Sequence, residues 1–259
     1  MEPDSFRSIS FFVPEIVKIF AKKFAENLVY LSCRVFHGGE GMEHIKTYYK
    51  KRIQTTKGTV ILEGPLPSDQ LIQYEFHHGL VSFRPAKKQF EALLNIADFP
   101  EGRINIARHE QTIIGYVTFL HPDPLERWSA FQMEDLIELG AIEIIPDFRG
   151  EKVATQLLQL SMMDPFMENY IIISTEYYWH WDLAGTNLSI WNYRKMMEKM
   201  MAAGGLRPVP TDDPEIISHP ANCLMVRIGK KVSEASIQKF DKLRFLSRIQ
   251  QSQREDFLC

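Results

Sequence analysis

A strand that runs into a tight turn and a helix start is the most chemically specific pattern in this chain. The strand predicted at 136–145 ends at Pro146, Arg149 and Gly150 lie in the turn, and an apolar helical pattern begins directly afterwards. The first N–H groups of a helix have no partner within the helix and point the same way, so they bind anions well. We therefore predict that the turn binds the phosphates of an anionic cofactor.

The residue types around the turn favour the same prediction. Gly150 and Ala154 leave space for phosphates to approach the backbone, and Arg149 and Lys152 add positive charge. Pro146 stops strand pairing because it has no N–H, so the neighbouring strands can separate there. The alternative is a structural turn with solvated charges. The predicted cofactor-binding residues are Ile144, Ile145, Arg149, Gly150, Glu151, Lys152, Val153, Ala154 and Thr155.

The elements that must position this turn form one mixed α/β domain from Met42 onward. The predicted strands are two hairpins and three later strands, at 53–63, 104–119, 136–145, 170–178 and 223–228. The predicted helices are amphipathic or capped segments, at 68–76, 85–96, 150–163, 188–203 and 233–247. Ser233 is the expected cap of the last helix, and Gly204-Gly205 is expected to end the one before it.

Composition and charge exclude several classes of protein. The 259 residues are 45% hydrophobic and 24% charged, as in ordinary globular proteins, and the net charge of −3 provides no basic field for nucleic acid. Cys33, Cys223 and Cys259 lack the spacing of a metal site, and no apolar run reaches the ~18 residues that span a bilayer. We expect a cytoplasmic monomer that uses no metal and binds neither nucleic acid nor membrane.

Residues 1–41 differ from the rest of the chain. The segment 11–36 is apolar with interspersed lysines, and one interpretation is an amphipathic helix on a membrane surface. However, Gly38-Gly39-Glu40 precedes Met42, and bacterial codons for these three residues readily form a ribosome-binding sequence before an ATG codon. We expect residues 1–41 to be a translated leader or an N-terminal extension outside the core.

The turn and the order of elements resemble the GCN5-related N-acetyltransferase (GNAT) superfamily. The turn reads R-G-x-x-x-A, and the superfamily's acyl-CoA pyrophosphate loop reads R/Q-x-x-G-x-G/A. Lys152 stands in place of the middle glycine, in either a helical or a left-handed conformation. Longer blocks resemble the acetoin-utilisation acetyltransferases, a bacterial branch. They are Leu62–Pro65, Ile114–Thr118, Pro122–Trp128, Leu136–Glu143, Thr175–Asp182 and Ser218–Met225.

This resemblance implies a fold, a co-substrate and an acceptor. The implied fold is the mixed α+β GNAT fold, with an acetyl-CoA-dependent domain at 42–230 and an extra C-terminal helix and tail at 231–259 packed on it. The implied reaction moves an acetyl group from acetyl-CoA to the active-site lysine of acetyl-CoA synthetase, which inactivates this protein substrate during acetoin and butanediol breakdown. The alternatives are an acetyltransferase of a small amine and a non-catalytic acetyl-CoA sensor that binds a partner.

A lysine acceptor needs a base, because the pKa of a free lysine ammonium is about 10.4. Glu138 and Glu143, on the strand before the turn, are the candidates. Glu138 lies eleven residues before Arg149, which resembles the spacing of the catalytic glutamate in related acetyltransferases. Either glutamate is alternatively an ordinary strand residue. The N–H groups of Ala141–Ile145, freed where strands separate, are predicted to stabilise the developing oxyanion.

Aromatic residues follow the next strand. Tyr177, Tyr178 and His180 are predicted to line a groove for the incoming lysine, and a simple packing cluster is the alternative. Related enzymes often use a tyrosine as general acid at the position of Met200. That role is therefore unfilled, or is taken by Tyr177, Tyr178 or Tyr193.

Overall fold

The computed structural model of the protein describes residues 42–249. The leader predicted at 1–41 and the tail at 250–259 lie outside the described residues, so both stay predictions.

Within residues 42–249, the segments rich in β-branched and aromatic residues form one sheet of nine strands. In chain order the strands are β1 (Tyr49–Thr55), β2 (Gly58–Gly64), β3 (Glu75–Phe76), β4 (Arg103–His109), β5 (Thr112–Leu120), β6 (Leu136–Ile144), β7 (Ile171–Glu176), β8 (Arg207–Val209) and β9 (Cys223–Ile228). Their order across the sheet is β1-β2-β4-β5-β6-β7-β9-β8, and the short β3 pairs with β5. The pairs β6–β7 and β3–β5 are parallel and the others are antiparallel.

Seven α-helices lie entirely within the same part of the chain, and residues 246–249 are also helical. The seven are α1 (Ser68–Leu71), α2 (Ala86–Ala97), α3 (Val153–Ser161), α4 (Leu183–Thr186), α5 (Ile190–Ala202), α6 (Pro214–Ile217) and α7 (Glu234–Arg244). Side chains fix where the last long helices begin. Ser189 accepts the Asn192 N–H at 3.3 Å before α5. Ser233 accepts the Ser236 N–H at 3.1 Å before α7, which confirms the cap predicted there.

The predicted mixed sheet is confirmed, but the helix predicted at 68–76 is wrong over its second half. α1 ends at Leu71, and Glu75–Phe76 form a strand beside β5. The Phe76 ring stacks on Phe90 with 5.1 Å between centroids, so packing against α2 outweighs the local helical pattern. The last predicted helix is interrupted at Phe245, after which residues 246–249 are helical again, and β8 was not predicted.

The C-terminal helix is part of the hydrophobic core. Phe240 and Leu243 of α7 belong to one buried cluster with Trp128, Tyr177 and Ile216. Trp128 follows β5 and Tyr177 follows β7, so α7 supports both chain segments that leave the centre of the sheet.

Candidate active site

Two parallel strands diverge at the centre of the sheet. β6 and β7 pair only through Leu136↔Ile171, Ile137↔Ile172 and Glu138↔Ile173. On its other side β6 stays paired with β5 as far as Gly115↔Ile144. The edge of β6 beyond Glu138 therefore faces an opening between the two strands.

The opening begins earlier than Pro146, where the sequence predicts it. The register between β5 and β6 shifts after Thr118, so that Thr118 pairs with Ala141 and Phe119 pairs with Leu139. Gly140 is left without a partner, and such a bulge bends its strand. The bend in β6 accounts for the separation of β6 from β7 directly after Glu138.

Part of the predicted set of free N–H groups faces this opening. The Ile145 N–H donates to the Ile114 carbonyl at 3.0 Å, so it is not free as the sequence predicts. Because successive residues of a strand direct their N–H groups to opposite edges, Ile142 and Ile144 direct theirs towards the opening. The Ile144 carbonyl also points away from β5, since it accepts a hydrogen bond from the Arg149 Nε at 3.3 Å.

The predicted phosphate turn has a longer loop than expected. Pro146–Phe148 form a 3-10 turn, and α3 begins at Val153, later than directly after Gly150. The first intrahelical bond runs from the Gln156 N–H to the Lys152 carbonyl at 3.0 Å. The N–H groups at the start of α3 have no partner within the helix. They belong to Val153, Ala154 and Thr155.

The space over the turn is open. Gly150 has a φ of +82°, and a Cβ built on it would meet no atom within 4 Å. Lys152 has a φ of 60° and a ψ of 19°, the left-handed conformation that glycine favours. The lysine therefore keeps the backbone shape expected of the missing glycine, at a cost of about 1–2 kcal/mol. Open backbone, helix N-terminus and nearby cationic side chains together fit a diphosphate group.

Arg149 and Glu151 have partners on opposite sides of the turn. The Arg149 Nη1 donates to the Asp182 Oδ2 at 2.5 Å, which joins the end of β6 to the segment after β7. This hydrogen bond is the main cause that lowers the pKa of Asp182. Glu151 accepts a hydrogen bond from the Thr56 hydroxyl in the β1–β2 turn. Glu151 thus holds the loop to the hairpin, whereas Arg149 lies at the opening.

Glu138 lies where the two strands separate. It forms the last pair with β7, and its Oε1 accepts a hydrogen bond from the Thr175 hydroxyl at 3.2 Å. Burial raises the pKa of Glu138 to about 7, and the negative charges of Asp123 and Glu176 act in the same direction, against the Thr175 hydrogen bond. A carboxylate with a pKa near neutrality can exchange a proton at physiological pH.

Glu143 is held by two structural hydrogen bonds. Its Oε1 accepts the Ser82 N–H at 2.8 Å and its Oε2 accepts the Tyr116 hydroxyl at 2.8 Å. The side chain is buried, and burial together with the Glu143 charge raises the pKa of Tyr116. This arrangement is typical of a residue that fixes the segment before α2 to the sheet, so Glu138 is the stronger candidate base.

The predicted aromatic groove divides into an inner and an outer part. Tyr177 is buried and stacks on Trp179 at 4.8 Å, with the His180 ring edge-on at 5.7 Å. Burial, followed by the charges of nearby carboxylates, raises the pKa of Tyr177, and burial lowers the pKa of His180. Tyr178 instead packs on the His219 ring at 4.2 Å. Tyr193, another candidate acid, stacks on Trp181 at 5.1 Å, and burial raises its pKa.

Known proteins are similar in sequence to this chain over most of its length. The acetoin utilization protein AcuA of Bacillus licheniformis is 66% identical over 208 residues, which cover 80% of this chain and 99% of that protein. The AcuA protein of Bacillus subtilis is 61% identical over 207 residues, with the same coverage. The chain belongs to the AcuA family. The Acetyltransferase (GNAT) family model matches residues 73–176, so the chain is an N-acetyltransferase with the GNAT fold.

A solved structure agrees with this AcuA assignment. The crystal structure of the acetoin utilization protein from Exiguobacterium sibiricum superposes with a TM-score of 0.78 at 53% identity. The match covers 80% of this chain and 98% of that one. The family and the fold predicted from the sequence are both confirmed.

Glu126, which the sequence pattern did not indicate, lies beside the candidate base of this AcuA site. Leu120 at the end of β5 pairs with Glu138, so the turn that follows β5 lies beside Glu138. Burial raises the pKa of Glu126 to about 9, and the charge of Glu138 is the next cause. Arg127 holds this turn in place by donating to the Asp212 Oδ1 at 2.8 Å and to the Leu243 carbonyl at 3.0 Å. The signal in the sequence was an acidic residue, Glu126, in the proline-rich turn before the strand that carries Glu138.

Residues 42–249 contain neither a membrane-crossing helix nor a metal-binding cluster. No helix in this part of the chain is long and apolar enough to cross a membrane. The same residues include no group of three or more His, Cys, Asp and Glu side chains that could hold a metal ion.

Proposed function

We propose that the enzyme transfers an acetyl group from acetyl-CoA to the active-site lysine of acetyl-CoA synthetase and thereby inactivates the synthetase. The observation that carries the proposal is a carboxylate with a raised pKa, Glu138, at the point where β6 and β7 separate. The names of the relatives connect the family to acetoin utilisation. The resemblance of the sequence blocks to the acetoin-utilisation acetyltransferases implies that the acceptor is acetyl-CoA synthetase.

The turn and the open edge of β6 provide the groups that would hold acetyl-CoA. The free N–H groups at the start of α3 and the charges of Arg149 and Lys152 suit the diphosphate. The N–H groups of Ile142 and Ile144 lie along the opening, where they suit the acyl-bearing arm and the developing oxyanion. Acetyl-CoA supplies an activated thioester, and the protein supplies position and charge.

The surroundings of Glu138 suit a cationic acceptor. Asp123 and Glu176 place negative charge near it, and a lysine ammonium is complementary to that charge. Glu138 then accepts a proton from the ammonium, which frees the nitrogen lone pair for attack on the thioester. The new C–N bond forms as the C–S bond breaks, and CoA leaves as its thiolate. A carboxylate with a pKa near 7 is a stronger base than a solvated one, so the environment favours this step.

The direct test incubates the enzyme with acetyl-CoA and purified acetyl-CoA synthetase. We expect acetyl-lysine at the synthetase active site by mass spectrometry and a matching loss of synthetase activity. Glu138→Gln is the matched control, since it keeps the side-chain shape and should bind CoA without transferring acetyl. Acetylation of small amines but not of the synthetase would favour the small-amine enzyme. CoA binding without any transfer would favour the sensor.

A further inference from the structure

A continuous run of aromatic rings extends from the active site to the protein surface. Tyr177 stacks on Trp179 at 4.8 Å between centroids, and Trp179 meets Tyr178 at 5.4 Å. Tyr178 packs on His219 at 4.2 Å, and His219 stacks on Trp191 at 6.4 Å. We call these five residues the aromatic ladder. Its inner ring, Tyr177, is 6% exposed, whereas its outer ring, Trp191, is 55% exposed.

Hydrogen bonds to the backbone hold the ladder in shape. Asn222 accepts the Tyr178 N–H at 3.0 Å, and its Nδ2 donates to the Glu215 carbonyl at 3.0 Å. Arg194 on α5 donates to the carbonyls of Ala221 at 2.6 Å and Asn222 at 3.0 Å. These bonds tie α5, which carries Trp191, to the loop that carries His219. The surface is therefore formed before any partner binds, which lowers the entropic cost of binding.

Acidic side chains at the inner end of the ladder favour a cationic group on the partner. After burial, the charges of Asp213, Glu215, Glu126 and Glu138 are the causes that raise the pKa of Tyr177, and of these carboxylates Glu215 is exposed on α6. A lysine ammonium complements them. Apolar side chains are exposed beside two of these carboxylates. Leu125 adjoins Glu126, and Ile217 is the last residue of α6, which carries Glu215. A partner segment with a lysine flanked by apolar residues matches both features.

We propose that the aromatic ladder is the docking surface for a protein acceptor. A lysine-bearing surface segment of the acceptor lies along the ladder, with an apolar side chain on Trp191 and its lysine directed to Tyr177 and Glu138. Exposed tryptophans in a preformed surface are typical anchors of protein interfaces. This inference rests on the proposed function, because a small amine would reach only the inner end.

The test compares a protein acceptor with a small one. Trp191→Ala is assayed with acetyl-CoA synthetase and with Nα-acetyl-lysine methylamide, each with saturating acetyl-CoA. We expect the KM for the synthetase to rise about ten-fold or more, while the KM for the small amide and the affinity for CoA stay within about two-fold. Trp191→Phe should restore most of the loss. Met196→Ala is the matched control, since Met196 is also exposed on α5 but lies outside the ladder.

The outcomes separate the docking surface from the proposed function. If the wild-type enzyme acetylates no protein, the proposed function fails and the docking surface fails with it. If the wild-type enzyme acetylates the synthetase and Trp191→Ala does so equally well, the docking surface is wrong and the proposed function stands. Equal losses on the protein and on the small amide would also overturn the docking surface, because they would place Trp191 in a general structural role.

Discussion

At the scale of single residues, the pair Glu138 and Glu126 is the most informative feature of the site. Both side chains are partly buried, burial raises the pKa of both, and the negative charge of Glu138 also raises the pKa of Glu126. Two like charges that share a partly buried space favour at least one bound proton. A cationic acceptor changes this balance, because its ammonium stabilises both carboxylates. Acceptor binding and proton transfer are therefore coupled at these two residues.

The first prediction concerns the pH dependence of the reaction. The pKa of Glu138 is raised to about 7, so below that pH the group is protonated and cannot accept a proton. We expect kcat/KM for the acceptor to rise with pH through about 7 and then to level off. Glu138→Gln should remove this limb and lower kcat by about 10²–10⁴-fold.

The matched control for the pH profile is Thr175→Val. The Thr175 hydroxyl donates to Glu138 and lowers its pKa, so its loss should move the rising limb to higher pH without removing it. A wild-type profile that persists in Glu138→Gln would show that another group is the base.

The second prediction concerns Lys152, an exposed cation in a left-handed conformation. Lys152→Gly should relieve about 1 kcal/mol of backbone strain, partly offset by the greater freedom of glycine in the unfolded chain. Loss of the cation should weaken CoA binding by about three- to ten-fold. Calorimetry of CoA binding and urea unfolding measure the two effects separately.

Two control variants separate charge from conformation at this position. Lys152→Ala keeps the strain and removes the charge, so it should lose CoA affinity without gaining stability. Lys152→Arg should keep the affinity. CoA binding that is equal in all three variants would show that only the backbone of residue 152 matters.

At the scale of elements, the sequence predicts long periodic segments well and short ones poorly. β4, β5, β6, β7 and β9 were all predicted because their runs of β-branched and aromatic residues are unambiguous. β3 has only two residues and exists because Phe76 packs against Phe90 and Tyr116, which are distant in sequence. Likewise the late start of α3 depends on Lys152 accepting a left-handed conformation, which no local pattern encodes.

The sequence likewise predicts only those residues of the candidate site that belong to a local motif or spacing. Arg149, Gly150 and Glu138 were found because a motif and a spacing point to them. Glu126 was missed because its position depends on the register of β5 against β6 and on the contacts of Arg127. Such contacts join segments far apart in the chain.

The third prediction tests whether the close approach of β5 and β6 positions the site. A Cβ on Gly115 would lie 2.8 Å from the Glu143 carbonyl oxygen, so β6 must shift in Gly115→Ala. We expect a loss of about 1–3 kcal/mol in the free energy of unfolding and a fall in kcat, because Glu138 lies on the displaced strand. Urea unfolding and steady-state kinetics with the acceptor measure both.

Ile113→Val is the control for Gly115→Ala. It removes one buried methyl group from the same strand at a cost of about 1 kcal/mol, but Ile113 pairs with Arg108 of β4 and has no partner on β6. Its kcat should stay near the wild-type value. Equal falls in kcat for the two variants would show that destabilisation alone, and not the position of β6, lowers the activity.

At the scale of the whole molecule, the C-terminal helix joins the acceptor side of the site to the core. The sequence resemblance implies a helix packed on a domain that ends at residue 230. In this packing, Phe240 and Leu243 lie within the same buried cluster as Trp128 and Tyr177. Arg127 adds a polar link, since it donates to the Leu243 carbonyl and to Asp212. The wall that carries Glu126 and Tyr177 thus depends on α7.

The fourth prediction tests that dependence with Phe240→Ala. The side chain is 1% exposed, and its removal should cost about 3–5 kcal/mol in the free energy of unfolding, a large part of the stability of an ordinary domain. The acceptor kcat/KM should fall at temperatures where the variant is still folded, since Trp128 loses its ring contact with Phe240 and a cavity opens in the cluster that includes Tyr177. Lys239→Ala, an exposed change next to it, should stay within about 0.5 kcal/mol. If Phe240→Ala unfolds at the wild-type urea midpoint, α7 is not a structural part of the catalytic domain.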